Sequence, residues 1–181
     1  DIDPGVEERA RGYLALLALG LPAVLFYRTF HAFCNALGRP RPLLLISLGG
    51  TLLHALIARA TTRLWIATPY FVPDMGVIHA LQLAALRGVD VRIIIPDGYD
   101  SKLVWLSAFS YYTQTLAAGV RVLRYQTGFM HQKVLLCDRV AAIGTANMDN
   151  RSMRINFEIT ALIDEPEFTA QVEAMLERDM A

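Results

Sequence analysis

Hydrophobic residues are most concentrated near the start of the chain. The sixteen residues from Gly12 to Tyr27 (GYLALLALGLPAVLFY) carry no charge, and Arg11 and Arg28 flank them. About 20 apolar residues span a bilayer, and Pro22 would kink a helix in this stretch. The pattern predicts a hydrophobic N-terminal helix that is either inserted in or lying on a membrane, or docked on the protein core.

The segment GRPRP, from Gly38 to Pro42, marks a boundary in this pattern. Two prolines and a glycine within five residues cannot continue a helix and are typical of a linker. We therefore expect residues 1–42 to form a hydrophobic helical segment with a Pro-rich linker. Residues 43–181 are expected to form the main domain.

Beyond the boundary, short apolar runs alternate with longer segments of helical period. The last helix, for example, should turn Phe168, Val172 and Leu176 inward. The predicted elements are strand 43–47, helix 51–61, strand 64–68, helix 76–87, strand 89–96, helix 102–118, strands 120–125, 131–138, 141–147 and 155–163, and helix 165–180. Alternating strands and helices followed by adjacent strands predict an α/β fold with a mixed β-sheet flanked by helices.

Composition adds further constraints. The chain has 17 basic and 17 acidic residues, so its formal net charge is zero, whereas nucleic-acid-binding domains are usually basic. Nucleic acid is therefore not expected as a partner. Only two basic residues are lysines, Lys102 and Lys133, and a rare lysine within an apolar strand indicates a specific role for Lys133. Cys34 and Cys137 have no metal-ligand or redox spacing and are expected to be free buried thiols.

Two adjacent predicted strands carry polar side chains at matching positions. Side chains two apart in a strand share a face, so His131 and Lys133 should point the same way. A three-residue turn over 138–140 would place Lys133 beside Thr145 and His131 beside Asn147, about 5 Å apart. Imidazole, ammonium, hydroxyl and amide together suit a tetrahedral phosphate. A lone histidine in a strand is more often structural, so the matched hydroxyl and amide are what favour a phosphodiester site.

The segment HQKVLLCD (131–138) followed by GTANMDNRS (144–152) resembles the H-x-K-x4-D motif of the phospholipase D superfamily with its downstream G-[ST]-x-N. ATPYFVPD (67–74) and RINFE (154–158) are similar to segments of bacterial cardiolipin synthases. The resemblance covers residues 43–181 and corresponds to the C-terminal half of such enzymes. It implies a phospholipase D-like mixed β-sheet flanked by helices and a phospholipase D-type phosphotransferase chemistry.

The same resemblance implies roles for individual residues. Family enzymes use two histidines, of which one forms a phosphohistidine and the other protonates the leaving alcohol, and His131 is assigned the second role. Lys133 and Asn147 would hold the non-bridging phosphate oxygens, with Thr145 in support. Glu158 would hydrogen-bond the other ring nitrogen of His131 and fix its tautomer.

Two further residues belong to this region. Asp138 is part of the motif and is counted with the catalytic group, but strand parity turns its side chain away from His131, which favours a structural role in the turn. Ser152 follows the Asn147 loop and is a candidate for contact with a headgroup. No metal and no cofactor is implied, because ammonium, amide and imidazole can do the electrostatic work of a divalent ion.

The spacing departs from the family pattern in one place. The family commonly has six residues between the motif aspartate and the glycine, whereas five residues separate Asp138 from Gly144 here. A shorter turn either preserves both strands or shifts their register by one residue. The position of Asn147 depends on which of these occurs.

Several functions are consistent with the resemblance. The leading one moves a phosphatidyl group from one phosphatidylglycerol to a hydroxyl of another, releasing glycerol, at the bacterial cytoplasmic membrane in an integral or peripheral protein. Hydrolysis of a phospholipid is the nearest alternative, and a single-motif nuclease acting as a homodimer is another. Phosphatidylglycerol or another phospholipid, and the membrane itself, are thus the expected partners.

The chain has one H-x-K motif, and the family's active site is expected to need two. The second motif would come from a missing N-terminal half or from the partner in a symmetric homodimer. If the chain is a fragment, we expect it to fold and to be inactive alone.

Overall fold

Strands and helices follow one another in the predicted order. The structure, a computed structural model, describes residues 52–98, 102–154, 156 and 158–181, with Leu103 and Arg154 described in their backbone only. The described helices are α1 (52–59), α2 (Met75–Leu86), α3 (Lys102–Ala117), α4 (Asn150–Arg154) and α5 (Pro166–Met180). The strands are β1 (Arg63–Ala67), β2 (Phe71–Val72), β3 (Asp90–Pro96), β4 (Arg121–Tyr125), β5 (Val134–Cys137), β6 (Val140–Gly144), β7 (Met148–Asp149) and β8 (Thr160–Ile163).

Three of the predictions concern residues outside this set. The hydrophobic N-terminal helix, the Pro-rich linker and the strand over 43–47 all lie outside the described residues, as does Cys34. Among the helices that are described, none is both long enough and apolar enough to cross a membrane.

Six strands form one mixed sheet in the order β4-β3-β1-β5-β6-β8. β1, β3 and β4 pair in parallel, and β5, β6 and β8 extend the sheet through antiparallel pairs. β2 and β7 form a separate parallel pair. The predicted fold class is confirmed.

This topology gathers several loops at one edge of the sheet. The end of β1 at Ala67 lies beside the start of β5 at Val134, and the end of β6 at Gly144 lies beside the start of β8 at Thr160. The segments that follow β1, β3, β4 and β6, and those that precede β5 and β8, therefore meet there. We call this the carboxyl edge.

Alternate residues of the strands face two hydrophobic cores. The first core includes Leu135 and is covered by α1, α2 and α3, and the second includes Leu136 and is covered by α5. Val172 and Leu176 of α5 are buried in the second core, as predicted. Cys137 is a free buried thiol, also as predicted, and burial raises its pKa to about 11.

The turn between β5 and β6 consists of Asp138 and Arg139 and is anchored by the Asp138 carboxylate. This carboxylate accepts hydrogen bonds from the backbone nitrogens of Thr61, Thr62 and Arg63 at 2.8 to 3.2 Å and from both threonine hydroxyls. Burial acts to raise the pKa of Asp138, but these hydrogen bonds outweigh it and hold the pKa well below its usual range. The backbone of Asp138 has a φ angle of 52°, a left-handed conformation that aspartate tolerates better than most residues.

The two-residue turn decides the register of the hairpin. Cys137 pairs with Val140, and Gly144 donates its backbone N–H to the carbonyl of Lys133 at 3.2 Å. The predicted three-residue turn, with Lys133 beside Thr145, is therefore wrong by one residue. A two-residue hairpin turn needs a residue with a positive φ angle, and Asp138 supplies it. The short spacing between Asp138 and Gly144 is therefore accommodated by a shorter turn, and both strands are preserved.

Several strands also differ from the prediction. The strand expected over 131–138 begins only at Val134, that expected over 141–147 is Val140–Gly144, and β8, at the end of the range 155–163, is Thr160–Ile163. The segment 69–74, expected as a loop, contains β2, which pairs with β7. Two-residue strands have too few residues to show an alternating pattern, so the sequence could not reveal this pair.

Gly144 permits the close approach of β6 and β8, which yields a test. A Cβ at this position would overlap the carbonyl oxygen of Ile159 and lie 2.7 Å from the Cα of Thr160. We expect Gly144→Ala to lower the free energy of unfolding by about 2–3 kcal/mol, since backbone must shift to make room. The matched control is Gly98→Ala, where a Cβ would meet open space, and its effect should stay within about 0.5 kcal/mol. Equal urea midpoints for the two variants would contradict the expectation.

The Asp138 anchor predicts a pH-dependent contribution to stability. Because the folded pKa is depressed, the contribution is complete above the unfolded pKa of about 4 and is lost as pH falls through the lower folded value. We expect Asp138→Asn to destabilise the protein at pH 7 by on the order of 2 kcal/mol, with the difference from wild type shrinking below about pH 4. Urea unfolding at pH 7, 5 and 3 measures it. A difference that does not change with pH would argue against a charged anchor.

Candidate active site

His131 and Lys133 lie in an extended segment that leads into β5 at the carboxyl edge. The two residues that alternate with them are fixed on the α5 side of the sheet. Met130 is buried in the second core, and the Gln132 side chain donates to Asp179 of α5 at 2.5 Å. Since side chains alternate along an extended chain, His131 and Lys133 face the opposite way. Their predicted common orientation is confirmed by their mutual contact.

Lys133 contacts the imidazole of His131 directly. Its Nζ lies 3.0 Å from Nδ1 and 3.2 Å from Nε2 of the ring, and it donates to the His131 carbonyl oxygen at 2.9 Å. An ammonium group can only donate, so a ring nitrogen bonded to it must accept. The pair therefore places a proton-transfer group, the imidazole, next to a positive charge, the ammonium. The histidine is exposed to solvent.

A hydrogen-bonded group links the end of β6 to the segment before β8. Thr145 donates its backbone N–H to the Ile159 carbonyl at 2.9 Å and its hydroxyl to Glu158 Oε2 at 2.5 Å. The Asn156 side-chain amide donates to Glu158 Oε1 at 3.0 Å. The structure thus brings Glu158 to Thr145 and Asn156, whereas the expected hydrogen bond was to His131. The hydrogen-bond partners described for the His131 ring are atoms of Lys133.

Asn147 and Ser152 occupy the segment that follows Thr145. The register places His131 opposite no strand residue, because the β5–β6 ladder ends at Val134 and Ile143, so the expected pairing of His131 with Asn147 does not form. Asn147 Oδ1 is buried, and no described atom bonds it. Ser152 is 5% exposed, lies on α4, and its hydroxyl likewise has no bond within the described part of the chain. Its burial puts it beneath the surface that a headgroup would meet.

Thr68 was missed by the sequence analysis and connects two parts of the carboxyl edge. Its hydroxyl accepts from the Met148 backbone N–H at 3.1 Å and donates to the Tyr70 carbonyl at 3.0 Å. It thereby ties the segment after β1 to β7 and to the loop that carries Asn147. A buried threonine directly after an apolar strand is the signal that could have identified it.

Two aromatic rings contact His131. Phe129 stacks on the imidazole with ring centroids 5.9 Å apart, and Tyr70 meets it edge-on at 6.4 Å. Tyr70 lies in the segment ATPYFVPD (67–74), which carries part of the family resemblance, whereas Phe129 was not singled out. The position of Phe129 two residues before His131 was the available signal, because residues i and i+2 of an extended segment share a face.

A small cavity lies beside Lys133. Its volume is about 30 Å³, and its lining includes Lys133, Thr68, Ala146 and Thr160. A space of this size holds about one water molecule and is too small for a phosphate group.

Asp138 lies far from this group. It lies seven positions after His131, which at about 3.3 Å per residue of extended chain corresponds to roughly 23 Å. Its contacts with Thr61, Thr62 and Arg63 are those of a turn anchor. Over the described residues, no three His, Cys, Asp or Glu side chains converge as a group able to hold a metal ion.

Comparison with known proteins gives matches over the same region. The family model described as "Cardiolipin synthase, PLD-like domain" matches residues 53–180. Cardiolipin synthase A of Pseudomonas aeruginosa (strain LESB58) is 52% identical over 127 residues, which are 70% of this chain and 26% of that protein. Cardiolipin synthase A of Pseudomonas putida (strain W619) is 54% identical over 124 residues, 68% of this chain and 26% of that protein. The chain spans about a quarter of the length of these relatives.

Solved structures with the same fold are more distant in sequence. Nuc from Salmonella typhimurium, a phospholipase D family member, has a TM-score of 0.63 and 20% identity, covering 71% of this chain and 84% of that chain. A phosphatidylserine synthase of Haemophilus influenzae Rd KW20 has a TM-score of 0.57 and 20% identity, covering 71% and 34%. These likenesses show the fold, and the family match extends over most of the chain: the protein belongs to the family of cardiolipin synthase PLD-like domains.

Proposed function

We propose that this chain is a catalytic part of a phosphotransferase that forms cardiolipin from two phosphatidylglycerol molecules. The observation that carries the proposal is the 52% identity to proteins named cardiolipin synthase A over the region that contains His131 and Lys133. The exposed His131–Lys133 pair supports it, because an imidazole beside an ammonium group suits a negatively charged phosphodiester.

The first half of the reaction breaks one phosphodiester bond. A histidine from a second motif attacks the phosphorus of phosphatidylglycerol, and a P–N bond forms as the P–O bond to the headgroup glycerol breaks. His131 donates its proton to the departing glycerol oxygen. Glycerol leaves, and the phosphatidyl group remains on the attacking histidine.

The second half forms the new ester. A hydroxyl of another phosphatidylglycerol attacks the phosphohistidine, and the now neutral His131 accepts the hydroxyl proton. The P–N bond breaks, cardiolipin is released, and both histidines return to their starting state. Water in place of the second lipid would give phosphatidic acid, which is the hydrolytic alternative.

The neighbouring side chains would stabilise the phosphate. Lys133 would neutralise a non-bridging oxygen, since its Nζ is next to the His131 ring, which would protonate the leaving oxygen of the same phosphate. Asn147 would present its amide nitrogen to another oxygen, which is compatible with a buried Oδ1. Thr145 and Glu158 would support this loop through their mutual hydrogen bond. Asp138 would act only through the turn that it anchors.

A complete reaction centre would need a second motif and a lipid surface. The chain contributes one His-x-Lys pair, so the other would come from the rest of a longer polypeptide or from a second copy of this chain. We place the protein at the bacterial cytoplasmic membrane, where its proposed substrate lies, either as an integral or as a peripheral protein.

The test is a lipid assay with phosphatidylglycerol in detergent micelles, run on the purified chain and on the longer polypeptide if one exists. We expect equal amounts of cardiolipin and glycerol, because each transfer releases one glycerol. His131→Ala and Lys133→Ala should lower the rate at least about 100-fold, since proton transfer and charge stabilisation each contribute that much. The matched control is His79→Ala, an exposed histidine on α2, which should retain the wild-type rate.

The products separate the competing functions. Phosphatidic acid without cardiolipin would indicate a hydrolase, and cleavage of DNA in place of lipid would indicate a nuclease. Product from a dimeric chain would favour a two-chain active site. A folded monomer with no activity, beside an active longer polypeptide, would show that this chain is half of the enzyme.

A further inference from the structure

We propose that Asp179, in the last turn of α5, is a positioning residue for the His131–Lys133 pair and that it acts through Gln132. The inference rests on the proposed function, in which His131 transfers protons and Lys133 neutralises the phosphate. Asp179 follows Gln132 by 47 positions in the sequence, so the folding of the chain is what brings the two side chains together.

Gln132 is the residue between the two reactive side chains. Its amide nitrogen donates to Asp179 Oδ2 at 2.5 Å, and both residues are half-buried, so water competes less for this bond than on an open surface. The carboxylate acceptor makes the bond charge-assisted and stronger than a bond between neutral groups. Because His131 and Lys133 are the main-chain neighbours of Gln132, a contact that holds Gln132 influences the position of both.

The segment that carries the pair lies just ahead of the β5–β6 ladder. At one end, Met130 is buried in the second core. At the other end, the carbonyl of Lys133 accepts the Gly144 backbone N–H at 3.2 Å. Gln132 lies between these anchors and ties the segment to α5. Loss of this tie would give the main chain between Met130 and Lys133 more freedom to move.

α5 is a firm support for this contact, because the rest of the helix is fixed to the same hairpin. Val172 and Leu176 are buried in the second core. In the first turn of α5, the Thr169 hydroxyl donates to the carbonyl of Arg139, in the β5–β6 turn, at 3.0 Å. The helix is therefore bonded to the turn of the hairpin near its start and, through Asp179, to the segment ahead of the hairpin near its end.

The charge of Asp179 opposes the local preference of the helix. α5 ends at Met180, and the unpaired carbonyl groups of the last turn make that end of the helix negative, so an acidic side chain there is unfavourable by itself. Departures of this kind are expected where a residue serves a contact outside its own element. Glu177 is an exposed acidic residue of the same turn and provides the matched comparison for the charge alone.

The experiment exchanges donor and acceptor without changing the shape of either side chain. In the phosphatidylglycerol assay, with the form of the protein that is active, Gln132→Glu should lower kcat about 10-fold, because two facing carboxylates repel and displace the reactive pair. Adding Asp179→Asn reverses the bond, since the new amide can donate to the new carboxylate, and kcat should return to within about threefold of wild type. Asp179→Asn alone keeps an acceptor for Gln132 and should also stay within about threefold.

A matched pair of variants separates positioning from an effect of the helix end. Asp179→Ala and Glu177→Ala each remove one acidic group from the last turn of α5. Asp179→Ala should lower kcat about 10-fold, and Glu177→Ala should leave it unchanged. Both variants should unfold in urea only above the denaturant-free conditions of the assay, so unfolded protein would not account for a lower kcat.

A second readout does not depend on activity. NMR relaxation gives backbone order parameters for residues 131–133, and these report how firmly the segment is held. They should lie near the value of rigid backbone, about 0.85, in wild type, in Glu177→Ala and in the double variant. In Gln132→Glu and Asp179→Ala they should fall toward the range of flexible chain, below about 0.6.

The outcomes separate this proposal from the proposed function. If Gln132→Glu matches wild type in kcat and in order parameters, Asp179 does not position the pair. If Asp179→Asn fails to restore the Gln132→Glu variant, the loss came from the new charge and not from the broken contact, which overturns the proposal. An equal loss of kcat in Asp179→Ala and Glu177→Ala also overturns it. If no form of the protein converts phosphatidylglycerol, the proposed function fails, and the order parameters still decide whether Asp179 holds the segment.

Discussion

The Asp138 carboxylate joins the β5–β6 turn to the residues that begin β1, and the arrangement of the site depends on this junction. It accepts hydrogen bonds from the backbone of residues 61–63, and it stays charged because those bonds outweigh its partial burial. The turn that it anchors sets which residue of β6 faces which residue of β5. A one-residue slip would move every side chain of a strand to the other face.

Within the described part of the chain, the candidate site is centred on the exposed His131 at the carboxyl edge. Two layers support it from beneath. On one side, α5 covers the second core and receives the Gln132 side chain at Asp179, which holds the main chain of the segment that carries His131. On the other, Thr68 ties the segment after β1 to β7, and Thr145 with Glu158 ties the end of β6 to the start of β8.

Much of the fold followed from local patterns. The apolar, β-branched run of β3 and the amphipathic period of α5, with Val172 and Leu176 inward, were predicted within one or two residues because burial dictates those patterns. The common face of His131 and Lys133 followed from strand alternation. The short pair β2–β7 did not, since two residues carry no period. The strand expected at His131 begins only at Val134, where the ladder with β6 ends opposite Ile143.

The sequence by itself therefore determined the fold class, the order of the longer elements and the common face of His131 and Lys133, since hydrophobic period and strand alternation are local properties. Only the tertiary structure decided the register and the contacts. Asp138 adopts a left-handed conformation in the two-residue turn, and residues 61–63, distant in sequence, bind its carboxylate and hold that turn against the start of β1. Glu158 pairs with Thr145, and Tyr70 contacts the His131 ring, because the topology of the sheet brings separate loops to one edge. No single segment contains that information.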